Sequence, residues 1–210
     1  MNWGVARSQF GQLWRGRDFA VLYAVLVVVV SVVAATQPPS LLRDIVATSS
    51  TDLVNLRQRP LSVLFASAFV ISPVAGLWIV VPMVVAYGEL QRWLGRVSLF
   101  VVAVLGHVGA TLFVATMEVT ELAKGRVGFI AVRPDVGVSY GLAAVAGVLV
   151  VRVPDPWRRR YVIASLIVIV GQFLILRNFT GLGHLTAWLI GLAVAVPVSG
   201  AMGTRHVIRN

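Results

Sequence analysis

Long apolar stretches without any charged side chain alternate along this chain with short segments that carry the charge. An α-helix needs about 20 apolar residues to cross a hydrocarbon layer about 30 Å thick. Uncharged stretches that reach or approach this length lie at residues 19–42, 61–88, 97–117, 136–151, 161–176 and 178–204. The pattern therefore predicts a series of helices that cross a membrane.

The fold class that we predict is an all-α membrane protein, a bundle of six transmembrane helices. Every backbone polar group must be paired inside lipid, so helices are the expected spanning form. The stretch 61–88 is too long for one upright helix, and Ser72-Pro73 interrupts it, so we interpret 61–71 as an interfacial or re-entrant piece. The six predicted helices are 19–36, 74–94, 98–117, 137–152, 161–177 and 182–202.

Composition excludes an ordinary soluble domain. Of the 210 residues, 58% are apolar and 12% are charged, whereas a soluble domain is about a quarter charged. The net charge of +10 comes from arginines in short connections, not from a basic face on a soluble module. The sequence thus favours the lipid bilayer as a partner and argues against nucleic acid.

The distribution of charge predicts the orientation. With a cytoplasmic N-terminus, the cytoplasmic segments hold eleven basic and three acidic residues, and the opposite side holds seven and five. Basic residues concentrate on the cytoplasmic side of membrane proteins, so both termini are predicted to be cytoplasmic. The predicted organisation is a cytoplasmic segment at 1–18, one membrane domain at 19–202 and a cytoplasmic tail at 203–210.

The first apolar run follows several arginines, as in a signal peptide, but exceeds the 7 to 15 residues typical of a cleaved one, so we expect a retained helix. Arginine outnumbers lysine 17 to 1, which favours a GC-rich bacterial genome and hence a multi-pass protein of the bacterial plasma membrane. Four tryptophans are expected to anchor span ends in the headgroup layer. They are Trp78, Trp93, Trp157 and Trp188.

Two residues that can carry chemistry begin predicted helices far apart in sequence. Ser139 opens the fourth helix, and His184 opens the sixth. Both helices are predicted to run from outside to inside, so the two residues lie at similar depth near the outer ends. Serine becomes a nucleophile when a base takes its proton, and neutral imidazole suits that task. Ser139 and His184 are therefore candidates for acyl transfer.

These positions resemble motifs of the rhomboid intramembrane serine proteases. That family carries Gly-x-Ser-Gly at the start of its fourth core helix and a His followed by small residues in its sixth. Here Gly137 precedes Ser139 with Gly147 eight residues beyond, and Gly191 follows His184 by seven. The ending of the second predicted helix, residues 88–95, also looks like the family's acidic, basic, Leu-Gly ending. The likeness covers roughly residues 55–200.

The resemblance implies an intramembrane serine endopeptidase. Ser139 would attack a peptide carbonyl in another protein's transmembrane segment, and His184 would act first as general base and then as general acid. The scheme needs no metal and no nucleotide cofactor. The chain also lacks cysteine, so neither a disulfide nor a thiolate metal site is available.

Two departures from the family pattern favour an alternative, a catalytically inactive protein that binds transmembrane clients or partners. Tyr140 stands where the family has the glycine that follows its nucleophile. The family's His and Asn in the second helix, which help to hold the oxyanion, fall near Ala75 and Ile79, and neither can donate a side-chain hydrogen bond. A transporter or channel is a third, weaker reading, because a continuous polar path is missing from the sequence.

Each candidate also has a purely structural interpretation. Ser139 fits a small packing residue, and His184 fits a hydrogen-bonded group on a helix face. For His107, near the middle of the third predicted helix, a structural hydrogen bond to a neighbouring helix is favoured over a proton-relay or metal role. Asp135, Thr180 and Thr186 lie close in sequence to the pair. Asp135 could cap the fourth helix, which is favoured over a role in orienting His184.

Overall fold

The computed structural model of the protein describes residues 16–71, 73–125, 137–176 and 179–207. Within these ranges the secondary structure is helical throughout, with a short 3₁₀ helix at Val74–Ile79. The α-helices are α1 (Asp18–Ala35), α2 (Pro39–Ser49), α3 (Leu53–Gln58), α4 (Pro60–Ser67), α5 (Val80–Leu94), α6 (Arg96–Ala123), α7 (Val138–Leu149), α8 (Trp157–Leu176) and α9 (Thr180–Val207).

The six predicted helices correspond to α1 and to α5 through α9. Three further short helices, α2 to α4, lie between the first two of them, and local signals start each one. Pro39 and Pro60 occupy the first turns of α2 and α4, where a missing N–H is tolerated. Asp52 caps α3 by accepting a hydrogen bond from the Asn55 amide at 2.9 Å.

Three of the described helices are long and apolar enough to cross a membrane, namely Asp18–Ala35, Arg96–Ala123 and Thr180–Pro197. The outward face of α1 is apolar as well, with Leu22, Val25, Val29 and Val33 each more than half exposed. A soluble monomer rarely exposes such a continuous apolar face, and lipid is its natural surrounding. The full count of six spans and the orientation of the termini stay predictions.

Helix α7 is the centre of the bundle. Its side chains Tyr140, Ala144, Val145 and Val148 are fully buried. It packs against α5, α6 and α9, whereas α8 lies further out against α9 and α1 lies against α5. The candidate residues at the start of α7 are therefore surrounded by other helices.

A polar network ties α1 to the end of the bundle where α5 ends and α6 begins. Asp18 forms an ion pair with Arg96 and accepts a hydrogen bond from the Gln91 amide. Gln91 Oε1 in turn accepts from the Ala20 backbone N–H at 2.9 Å. This N–H belongs to the first turn of α1 and has no partner within its own helix, so Gln91 caps α1 from α5.

The expectation for the four tryptophans is wrong for one of them. Trp78 and Trp157 are more than half exposed, as anchoring residues would be. Trp188 is only 5% exposed and packs with Val150 and Ile169 inside the bundle. It lies eight residues beyond the start of α9 and belongs to a cluster with side chains of α7 and α8.

Candidate functional site

Close contacts through glycine fix α7 between its two neighbours. A Cβ added at Gly106 of α6 would collide with Ala144, and one added at Gly191 of α9 would collide with the backbone of the same residue. A Cβ at Gly147 would collide with the carbonyl of Trp188. Small residues let transmembrane helices approach backbone to backbone. These contacts set the relative rotation and height of α6, α7 and α9.

The first turn of α7 lies deep in the bundle and not near its surface. Gly137, directly before α7, lies against the ring of His107, which is eleven residues into α6. At 1.5 Å per residue, that is about 17 Å from the start of a helix about 42 Å long. Helix α7 itself is only about 18 Å long, less than a hydrocarbon layer. Ser139, two residues beyond Gly137, thus lies alongside the interior of α6, away from both of its ends.

The structure brings His184 next to Tyr140. The two rings meet edge-on, with centroids 5.0 Å apart and planes at 63°. A Cβ added at the neighbouring Gly183 would lie 2.6 Å from the Tyr140 ring, so this glycine leaves room for the contact. Tyr140 is fully buried and His184 is 6% exposed. The tyrosine ring therefore fills the space beside the imidazole.

Ser139 lies in the first turn of α7 and His184 is the fifth residue of α9, and no hydrogen bond joins them. Both imidazole nitrogens of His184 are buried without a hydrogen-bond partner. Successive residues of a helix point about 100° apart, so Ser139 is rotated away from the direction in which Tyr140 meets α9. Ser139 is half-buried on the adjoining face of α7.

The other residues singled out in the sequence contribute less to this site. Ala75 is exposed and Ile79 packs on the core, and neither side chain has a donor. Thr186 donates its hydroxyl to the Leu182 carbonyl at 2.9 Å, so it does not orient His184. Thr180 is the first residue of α9, and Asp135 lies outside the described residues.

His107 makes the structural hydrogen bonds that were expected of it, and the partner is α4. Its Nε2 lies 2.9 Å from the Leu64 carbonyl oxygen and 3.2 Å from Ser67 Oγ. The Gly137 amide donates to the Ser67 carbonyl at 3.0 Å, so three elements meet at this point. Sequence reasoning missed Ser67, because a serine within an apolar stretch has no motif that distinguishes it. Among the described residues no group of three metal-ligating side chains occurs.

A protein-family model matches this chain, whereas the individual proteins compared with it do not. No curated protein and no solved structure matches the chain significantly. The family model described as rhomboid-like protein matches residues 16–204, which includes all of the helices that form the bundle and both candidate residues, Ser139 and His184. This match covers most of the chain. The protein therefore belongs to the rhomboid-like family of membrane proteins.

Proposed function

We propose that this protein is a non-catalytic rhomboid-like membrane protein that binds transmembrane segments of other proteins. The observation that carries the proposal is the contact between Tyr140 and His184. A general base must reach its nucleophile through a hydrogen bond, and here the tyrosine ring covers the imidazole instead. On the same face of α7, one turn before Tyr140, stands Gly137, which has no side chain to act as a nucleophile.

The lack of a side-chain oxyanion donor at Ala75 and at Ile79 supports the same conclusion. Loss of one such donor typically lowers the rate by about 10²- to 10³-fold. The residues at the corresponding positions of the second helix, Ala75 and Ile79, are apolar. The backbone amides at the start of α7 are the remaining donors, and they support at most a slow reaction.

The depth of the site indicates the class of partner. The first turn of α7 is about 17 Å from one end of α6, so an approaching molecule must be stable in the hydrocarbon layer. A transmembrane helix of another protein meets this condition, whereas a soluble peptide would have to leave its backbone groups unpaired in lipid. We place the protein in a bacterial plasma membrane, with six spans and both termini in the cytoplasm, as the charge distribution favours.

A serine endopeptidase remains the second candidate, and one observation favours it. His184 is buried with both ring nitrogens unpartnered. A buried polar group without a partner lowers stability, and a catalytic role would explain why it is kept. In this scheme Ser139 attacks a peptide carbonyl of the transmembrane substrate, and His184 takes the serine proton and then returns it to the leaving amine. It requires Tyr140 to move away from His184.

A fluorophosphonate probe, which reacts with activated serines, distinguishes the two candidates. Purified wild-type protein in detergent is compared with Ser139→Ala and His184→Ala, and circular dichroism shows that each is folded. We expect no labelling of the wild type above the level of Ser139→Ala. Labelling that both substitutions abolish would overturn the proposal and establish the hydrolase.

Client binding has its own test, because the chain has no native cysteine. Ser139→Cys is reconstituted in liposomes with model transmembrane peptides that carry one cysteine at different depths. We expect disulfide cross-linking to peak for a cysteine near the bilayer centre. Leu174→Cys, exposed in the last turn of α8, is the matched control and should cross-link more weakly, with its maximum towards one end of the peptide. Equal profiles at the two positions would contradict a binding site at α7.

A further inference from the structure

The C-terminus of α4 ends inside the bundle, and its last carbonyl groups need partners from elsewhere. The last four carbonyl groups of an α-helix have no backbone N–H partner within that helix, and lipid offers no water to supply a donor. The Ala68 amide, which would normally bond to Leu64, bonds to the Phe65 carbonyl instead. The Leu64 carbonyl is thereby left without a backbone donor in α4 and has the Ser67 hydroxyl at 3.2 Å as its local donor, whereas the Ser67 carbonyl accepts from another element.

Residues of α6 and of the start of α7 supply these partners. His107 Nε2 lies 2.9 Å from the Leu64 carbonyl oxygen, and the Gly137 amide lies 3.0 Å from the Ser67 carbonyl oxygen. A Cβ at Gly137 would collide with the His107 ring, so the glycine allows ring and backbone to touch. Two carbonyls of one helix end are therefore capped by two other elements at a single point.

The hydrogen bonds assign the tautomer of His107. A carbonyl oxygen only accepts, so Nε2 must carry the proton that it shares with Leu64. The Ser67 hydroxyl donates to the same carbonyl at 3.2 Å and is not deprotonated by the imidazole. Ser67 and His107, although 3.2 Å apart, are consequently not a second nucleophile and base. Nδ1 has no hydrogen-bond partner, in keeping with the neutral Nε2–H form.

We propose that His107 is the positioning residue of the candidate site, which docks the end of α4 on the first turn of α7 and so holds Tyr140 against His184. The chain of contacts runs from His107 to α4, from the Ser67 carbonyl to Gly137, and from the Gly137 carbonyl to the Tyr140 amide at 3.1 Å. This role concerns the placement of α7 and applies whether Ser139 is inert or catalytic.

Two substitutions of His107 distinguish the contribution of its N–H donor from that of its ring. Glutamine places an amide N–H near the position of Nε2, and phenylalanine keeps a ring but has no donor. We expect His107→Phe to speed amide hydrogen exchange in the first turn of α7 by about tenfold, the equivalent of one lost hydrogen bond. His107→Gln should retain the wild-type exchange rate. Thr111→Val is the matched control, since Thr111 is buried one turn further along α6 and its hydroxyl has no partner.

A spectroscopic measurement tests the geometry directly. The chain has three histidines, so ¹⁵N-histidine labelling gives a simple spectrum that the His107 and His184 variants assign. We expect His107 as the Nε2–H tautomer, and we expect His107→Phe, but not His107→Gln or Thr111→Val, to shift the His184 signals. An Nδ1–H tautomer, unchanged His184 signals in His107→Phe, or equal effects of the two His107 substitutions would overturn the proposal. Fluorophosphonate labelling of Ser139 would overturn the proposed function and leave this result untouched.

Discussion

The ring of Tyr140 meets the ring of His184 edge-on, at 5.0 Å between centroids, in the interior of the helix bundle. Aromatic pairs favour this geometry, so the contact stabilises the packing of α7 on α9. It also occupies the side of the imidazole from which a serine of α7 would have to approach. The packing of α7 on α9 and the access to His184 thus both depend on Tyr140, which stands directly after Ser139 in the sequence.

Removal of the Tyr140 ring should make His184 accessible to Ser139. We expect Tyr140→Ala to acquire slow fluorophosphonate labelling at Ser139, because His184 is uncovered while the backbone amides at the start of α7 are still the available oxyanion donors. Loss of a buried aromatic side chain costs about 3 to 5 kcal/mol, so folding must be verified by circular dichroism and size-exclusion chromatography. Tyr140→Phe keeps the ring and should not label. Labelling that persists in Tyr140→Ala combined with Ser139→Ala would show that another residue reacts.

The close packing around Gly147 predicts that a larger residue at this position destabilises the protein. We expect Gly147→Ala to lower the free energy of unfolding by about 1 to 3 kcal/mol, since the new methyl group would collide with the Trp188 carbonyl. Gly171→Ala in α8 is the matched control, because a Cβ there meets no atom within 4 Å. That change should be neutral or stabilising by about 0.5 to 1 kcal/mol. Unfolding in mixed micelles measures both, and equal effects would contradict the packing described for α7.

The cap that Gln91 places on α1 gives a third prediction. Gln91→Leu keeps the volume but leaves the Ala20 N–H buried without an acceptor, which costs about 1 to 3 kcal/mol. Gln37→Leu is the control, because the Gln37 side chain bonds to the last turn of α1 itself. We expect its free energy of unfolding to change by less than about 0.5 kcal/mol. A Gln91 variant as stable as the wild type would show that the amide is not required.

A fourth prediction concerns the link between α1 and the segment before the 3₁₀ helix. Ser31 is 1% exposed, and its hydroxyl accepts a hydrogen bond from the Ile71 amide at 2.9 Å. Ser31→Ala should therefore lower the free energy of unfolding by about 1 to 3 kcal/mol. Ser98→Ala removes a hydroxyl that bonds the adjacent turn, to the Leu94 carbonyl, and should change stability by less than about 0.5 kcal/mol. Chemical unfolding of the two variants side by side provides the comparison.

The sequence by itself determined the helices and their approximate bounds. Long uncharged runs fix where a chain can enter lipid, because a charged side chain in the hydrocarbon layer is costly. Proline and aspartate also mark the starts of α2, α3 and α4, three short helices outside the six predicted ones. The positions of Ser139 and His184 near the starts of two packed helices also follow from sequence alone.

Only the tertiary structure decided which side chains meet. In a soluble helix an apolar stripe marks the buried face, but a helix in lipid is apolar all round, so the sequence does not show its rotation. Rotation and height depend on close contacts such as Gly191 with Ala144 and Gly137 with His107. These contacts turn Tyr140 towards His184, bury Trp188 and join His107 to α4. None of these relationships can be read from one helix, because each depends on where its neighbour lies.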